Sequence, residues 1–156
     1  MKITVITVGK IKEVYFKDAV DEYSRRIKNY AGLNKIEIAD EKIIESKPDN
    51  LIKEKEAEKI LKTLNPDSYK IAMTETGTSF TSVKFADFLK DIKDKSYPEV
   101  AFIIGGALGL SENLLKQCDY RISLSLMTLP HQMAQLFLTE QIYRAFKIMG
   151  NEPYHK

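Results

Sequence analysis

An α/β fold is predicted, with a mostly parallel sheet of five to six strands and helices on both faces, and three observations predict it. β-Branched runs alternate with segments of helical periodicity along the chain. One run, Val100 to Ile104, is continuously apolar and ends at a pair of glycines, the pattern of a strand buried on both faces. The segments between strands are long enough to return over a sheet, as every parallel crossover requires.

The elements follow in order. Residues 2–8 (Lys-Ile-Thr-Val-Ile-Thr-Val) are β-branched and stop at Gly9, so they read as the first strand. Val14 to Tyr30 places Val20, Tyr23, Ile27 and Tyr30 near helical spacing. Lys35 to Ala39 alternates as a short second strand, and the polar stretch 40–50, with Pro48, reads as a mobile loop. Helical spacing resumes over Leu51 to Leu64 through Ala57, Ile60, Leu61 and Leu64. Tyr69 to Thr74 reads as a third strand closed by Gly77, followed by a helix over Thr81 to Lys95 whose apolar side carries Phe85, Phe88, Leu89 and Ile92. The Val100 to Ile104 run belongs in the middle of the sheet. Ser111 then caps a short helix through Leu115, and Tyr120 to Ser125 forms a fifth strand. Pro130 suits the first turn of a long last helix, with Gly150 as its stop. No second domain, repeat or linker interrupts residues 1–156, which read as a single domain.

Composition narrows the function classes. Of 156 residues, 44% are hydrophobic and 29% charged, which excludes disordered and low-complexity classes. Lys plus Arg (24) against Asp plus Glu (22) leave +2, so a nucleic-acid role must rest on a local site and not on overall charge. Cys118 is the only cysteine, which rules out an intrachain disulfide and a cysteine metal cluster, and no metal is expected. No apolar run approaches the roughly 20 residues of a membrane span, and the N-terminus has no secretory pattern. The expected location is cytoplasmic, with no membrane partner.

In open α/β sheets ligands lie beyond the carboxyl ends of the strands, which selects the loops Thr74–Gly77, Gly105–Gly109 and Ser125–Pro130. Gly105-Gly106-Ala107-Leu108-Gly109 either makes a tight strand-to-helix turn or lets backbone amides approach a ligand. It lacks the GxGxxG spacing of a dinucleotide site and the Walker lysine of a phosphate loop. Leu124 to His131 is unusually apolar for a loop, which suits burial against a ligand or a wrap of the chain. His131 reads as a structural histidine or as an acid–base group, and the structural role is favoured. Arg144 and Lys147 read as a solvated positive face or, through Arg144 between Tyr143 and Phe146, as part of a site. The terminal Tyr154-His155-Lys156 is a frayed end or a docked tail.

Four pieces of the chain carry a family resemblance: Ile-Ile-Gly-Gly-Ala-Leu-Gly-Leu, Leu-Ser-Leu-Met-Thr-Leu-Pro-His-Gln-Met, Glu-Gln-Ile-Tyr-Arg-Ala-Phe-Lys-Ile and the terminal Tyr-His. In their order and spacing, and over essentially its whole length, the chain resembles the small SPOUT-class methyltransferases that methylate N3 of a pseudouridine in large-subunit (23S) ribosomal RNA. The resemblance implies a C-terminal trefoil knot, S-adenosylmethionine as cofactor, action on the assembled ribosome, and a homodimer in which one subunit's tail completes the other's pocket. It places cofactor contacts on Met73, Gly105, Leu124, Ser125, Leu126, Met127, Thr128 and Leu129. It locates catalysis at His155, Tyr154 and Arg144. The roles expected of them are proton acceptance for His155, orientation or stabilisation of the base for Arg144, and stacking or hydrogen bonding for Tyr154. Two positions depart from the family pattern. Gln135 stands where many relatives carry arginine, which would remove a phosphate contact, and Leu108 stands where a polar residue is common. Two other classes, a nucleotide-binding α/β enzyme and a non-catalytic RNA-binding protein, are separated from this one by cofactor preference and by methyl incorporation.

Overall fold

The computed structural model describes all 156 residues. Its order is β1 (Lys2–Val8), α1 (Val14–Ile27), β2 (Gly32–Ile38), α2 (Asp49–Thr63), β3 (Tyr69–Ser79), α3 (Ser82–Asp94), β4 (Glu99–Ile104), α4 (Glu112–Lys116), β5 (Tyr120–Ser123) and α5 (His131–Met149). The five strands form one sheet in the order β2-β1-β4-β3-β5, and all neighbours are parallel. The expectation of five to six mostly parallel strands therefore resolves to five, with no antiparallel member. β4 is central and buried along its whole length, as its unbroken apolar run requires.

Alternation along the strands divides the core between the two faces. Ile3 and Val5 of β1, Ile71 of β3 and Val100, Phe102 and Ile104 of β4 pack with Ile27, Leu89, Leu138 and Ile142, so α1, α3 and α5 cover one face. Ile6, Val8, Ala72 and Ile103 pack with Ala57, Ile60, Leu114 and Leu115, so α2 and α4 cover the other. α5 lies against both α1 and α3. No helix is long and apolar enough to cross a membrane.

Several boundaries differ from the sequence reading for local physical reasons. α1 ends at Ile27, because Tyr30 and Ala31 donate to the Ile27 carbonyl in a turn that leads into β2 three residues earlier than the alternation starting at Lys35 suggested. Gly77 does not close β3. Met73 and Thr78 both lie opposite Ile122, so residues 74–77 loop out of the sheet and the strand resumes to Ser79. β5 is correspondingly short and stops at Ser123, not at Ser125. Gly150 does end α5, at a φ of −85°, while the left-handed position after it falls to Asn151 at a φ of 50°. Residues 39–48 lie outside helix and strand. Their start is tied to α2, where Glu56 Oε1 accepts the Glu41 N–H at 3.0 Å and Lys59 pairs with Glu41 at 2.6 Å.

Candidate active site

Because all five strands run the same way, their carboxyl ends share one edge, and because β4, β3 and β5 are neighbours their following loops are neighbours too. These are the three loops singled out from sequence. They enclose a cavity of about 730 Å3, within the roughly 300–1,000 Å3 common for small-molecule sites. Of the eight residues expected to hold a cofactor, Met73, Gly105, Leu124, Ser125, Met127, Thr128 and Leu129 line it. Leu126 does not: it is 91% exposed and absent from the wall. In a loop held by Ser123 Oγ donating to the Ser125 carbonyl at 2.8 Å and by the Met127 N–H donating to Ser125 Oγ at 2.9 Å, the chain turns and faces Leu126 outward.

The whole glycine loop lines the cavity. A methyl group at Gly105 would lie 2.9 Å from the Gly109 carbonyl carbon, and the turn is closed by the Gly109 N–H donating to the Gly106 carbonyl at 3.0 Å. Gly109 has a φ of +79°, the left-handed region that glycine tolerates best. Leu108, one of the two departures, also lines the cavity and adds to its apolar character. The excursion 74–77 also brings Thr74 and Glu75 to the cavity, and the α5 start brings Pro130, His131 and Ala134. Thr74, Glu75 and Pro130 belong to loops singled out from sequence and His131 was weighed as an acid–base group, but none of the five was among the expected cofactor contacts.

Two polar atoms test what the cavity is suited to hold. Thr74 Oγ1 and His131 Nε2 are buried without a hydrogen-bond partner, and both belong to lining residues. Orphaned donors or acceptors beside apolar walls and an approachable backbone suit a ligand with a flat ring and polar edges, such as an adenosyl cofactor. The structural role expected for His131 is half met. Its ring packs under Gly9, whose hypothetical Cβ would lie 3.4 Å from Nε2, yet that nitrogen bonds no loop.

The three expected catalytic residues are also brought together, but elsewhere. Arg144 lies with its guanidinium 4.6 Å from the centroid of the Tyr154 ring and its Nη1 3.4 Å from His155 Nδ1. The tail is docked. Tyr154 Oη donates to Glu140 Oε1 at 3.0 Å, lies 3.4 Å from Tyr23 Oη, and packs its ring edge-on to Tyr143. Glu140 Oε1 also accepts from Arg144 Nε at 3.0 Å and Nη2 at 2.5 Å. Burial, and then hydrogen bonds to Tyr23 and Glu140, push the Tyr154 phenol well above its usual range, so it stays a donor. The hydrogen bonds to Glu140 likewise raise Arg144. None of the trio lines the cavity of its own chain. Sequence reasoning missed Glu140 and Tyr23. The Glu140–Arg144 spacing of four on a helix was the available signal for the first, and nothing in the sequence pointed to the second.

Gln135 is only 4% exposed, and its backbone carbonyl accepts from Thr139 Oγ1 at 2.6 Å. The expectation that it leaves a gap on an RNA-facing surface is therefore corrected, since its side chain is inside the fold. No group of three or more His, Cys, Asp or Glu side chains is placed to hold a metal ion.

A parallel sheet with a cofactor-sized cavity over the loops of its three adjacent strands, an apolar loop entering the last helix, and a docked basic and aromatic tail define an α/β protein with a ligand site at the carboxyl edge of its sheet. The family model described as "Predicted SPOUT methyltransferase" matches residues 1–155, and the chain belongs to that family. It is similar along its full length to proteins named "Ribosomal RNA large subunit methyltransferase H". The one from Clostridium botulinum (strain Kyoto / Type A2) is 48% identical, and the one from Clostridium acetobutylicum is also 48% identical, each over all of both chains. A protein of Methanococcus maripaludis (strain C5), described as a putative member of the same group, is 49% identical over all of both chains. Among solved structures, a probable methyltransferase from Bordetella pertussis Tohama I shares the fold with a TM-score of 0.58 at 13% identity, over 93% of this chain and 94% of that one.

Proposed function

We propose that the chain, one SPOUT domain over residues 1–156, is an S-adenosylmethionine-dependent methyltransferase of large-subunit ribosomal RNA. Its target is N3 of a pseudouridine on the assembled ribosome, and it acts in the cytoplasm as a homodimer with a knotted C-terminal half. The observation that carries this reading is the assembly of Met73, Gly105 and the 124–129 loop around one cavity, in a chain matched end to end by large-subunit methyltransferases. Gly105 and its loop would admit the cofactor to the backbone, Leu124, Met127 and Leu129 would shelter its rings, and Thr74 Oγ1 or His131 Nε2 would take a polar edge.

The cofactor, when bound, supplies an electrophilic methyl group attached to its own leaving group. The chain's residues then have to orient the base, exclude water and accept the N3 proton. Arg144 carries a fixed positive charge that favours the N3 anion, His155 offers a ring nitrogen for its proton, and Tyr154, held as a donor, can bond or stack on the base. That the trio lies outside its own chain's cavity supports a second copy as the source of the cavity it serves. Exposed apolar side chains support such pairing: Val14 and Tyr15 on α1, Met133 and Phe137 on α5, Leu126 and Met127 on the loop before α5. Lys12 and Glu13 N–H groups donate to Gln132 Oε1 at 2.9 and 3.2 Å, so the starts of α1 and α5 form one surface.

Transfer of labelled methyl from S-adenosylmethionine to assembled ribosomes and to isolated large-subunit RNA tests the proposal. Label is expected on one pseudouridine, stronger on ribosomes, and lost when residues 154–156 are removed. Cofactor binding without label on either substrate would exclude this activity and favour a binding role.

A further inference from the structure

We infer that Glu140 is a positioning residue for the tail trio, an inference that rests on the methyltransferase reading above. Its carboxylate is held on both oxygens. Oε2 accepts from Gln141 Nε2 at 2.7 Å, and Gln141 Oε1 in turn accepts from Ser82 Oγ at 2.8 Å, which ties the group to the start of α3. Oε1 accepts from Arg144 Nε and Nη2 and from Tyr154 Oη. The side chain is 17% exposed, so these bonds are shielded from competing water but not sealed in the core.

One oxygen therefore sets two of the three tail groups at once. The two-nitrogen grip fixes the plane of the Arg144 guanidinium, which lies over the Tyr154 ring and reaches His155 Nδ1. The same oxygen, with Tyr23 Oη, fixes the Tyr154 hydroxyl. A carboxylate anchored from a different helix is a rigid reference for a terminal segment that would otherwise fray. A second anchor, Glu152, holds the chain just before the trio, accepting from Lys147 Nζ at 2.5 Å and Tyr30 Oη at 3.0 Å. That anchor fixes where the tail leaves α5, while Glu140 fixes how its functional groups point.

Glu140→Gln keeps the size and one acceptor oxygen but removes the charge that grips Arg144. The expected result is a fall in kcat of tenfold or more for methyl transfer, with the KM and Kd for S-adenosylmethionine within twofold of wild type and the thermal midpoint little changed. A readout independent of turnover accompanies it. With only two histidines in the chain, the His155 imidazole NMR signal is readily assigned, and it is expected to move while the backbone amides of Tyr154, His155 and Lys156 exchange faster. Unchanged kcat in Glu140→Gln beside an active wild type would overturn the positioning role alone. Parallel losses of cofactor affinity, thermal midpoint and kcat would overturn it in favour of a general structural role. A wild-type chain that transfers no methyl would remove the methyltransferase reading itself, and the positioning role with it.

Discussion

At Gly77 a single missing methyl group decides a wall of the cavity. A Cβ there would lie 2.6 Å from the backbone nitrogen and carbonyl carbon of Ile122, which cannot move without breaking the β3–β5 pairing on either side. Gly77→Ala is therefore expected to destabilise the protein by about 2 kcal/mol or more, in the range of overpacked interiors, read as a lower urea midpoint at unchanged slope. A midpoint within error of wild type would mean that the 74–77 excursion yields freely. The same residue shows why part of the site was illegible in sequence. A glycine after Tyr69 to Thr74 looks like a stop, and only the pairing of Met73 and Thr78 with the same Ile122 shows that it is a crossing point. Thr74 and Glu75 reach the cavity because of that excursion: the sequence singled out their loop as following a strand, but not the excursion that carries these side chains to the cavity. The loops at Gly105 and 124–129 stood out because their chemistry is local, a glycine where a strand meets a loop and leucines where a loop should be polar, but their expected role as cofactor contacts came from the family resemblance.

Helix starts allow a comparison between two elements built on the same device. Ser111 Oγ accepts the Leu114 N–H at 3.2 Å to begin α4, and Thr81 accepts the Lys84 N–H at 3.3 Å to begin α3. Ser111 is fully buried and Leu114 nearly so, whereas the Thr81 bond is exposed. Water can replace the threonine but not the serine. Ser111→Ala should cost about 1–3 kcal/mol, the penalty of an unsatisfied buried donor, and Thr81→Ala at most about 1 kcal/mol. Chemical denaturation of the two variants side by side checks the order, and equal losses would show that water reaches α4. α4 bears on function because it follows the glycine loop, with Leu115 in the cavity wall. At this scale the sequence was most informative where one physical rule acted alone: the Val100 to Ile104 run is the central strand, and Ser111 is the cap. It was less so where tertiary pairing competes with pattern. β2 begins at Gly32 because it pairs with Lys2 in register along the whole of β1, although Leu33 and Asn34 add nothing to an alternation that starts at Lys35.

For the whole molecule, the family resemblance raised the expectation that one subunit's tail serves the other's pocket, while composition and periodicity could not show the separation of the Arg144, Tyr154 and His155 cluster from its own chain's cavity, because it depends on where α5 ends relative to the sheet edge. If the working site joins one chain's cavity to another's tail, two defective chains should repair each other. Arg144→Ala spoils the tail and leaves the cavity, while Gly105→Ala, with its methyl 2.9 Å from the Gly109 carbonyl carbon, spoils the cavity and leaves the tail. Each variant alone should transfer methyl at a small fraction of the wild-type rate. Unfolded together and refolded as an equal mixture, half the dimers are mixed, and one of the two sites in each is intact, so about a quarter of wild-type activity should return. A site built within one chain predicts no recovery, since every chain then carries its own defect. Sedimentation of the same mixture should show species of twice the 17.9 kDa chain mass, so a dimer without recovered activity would reject the shared site while keeping the dimer.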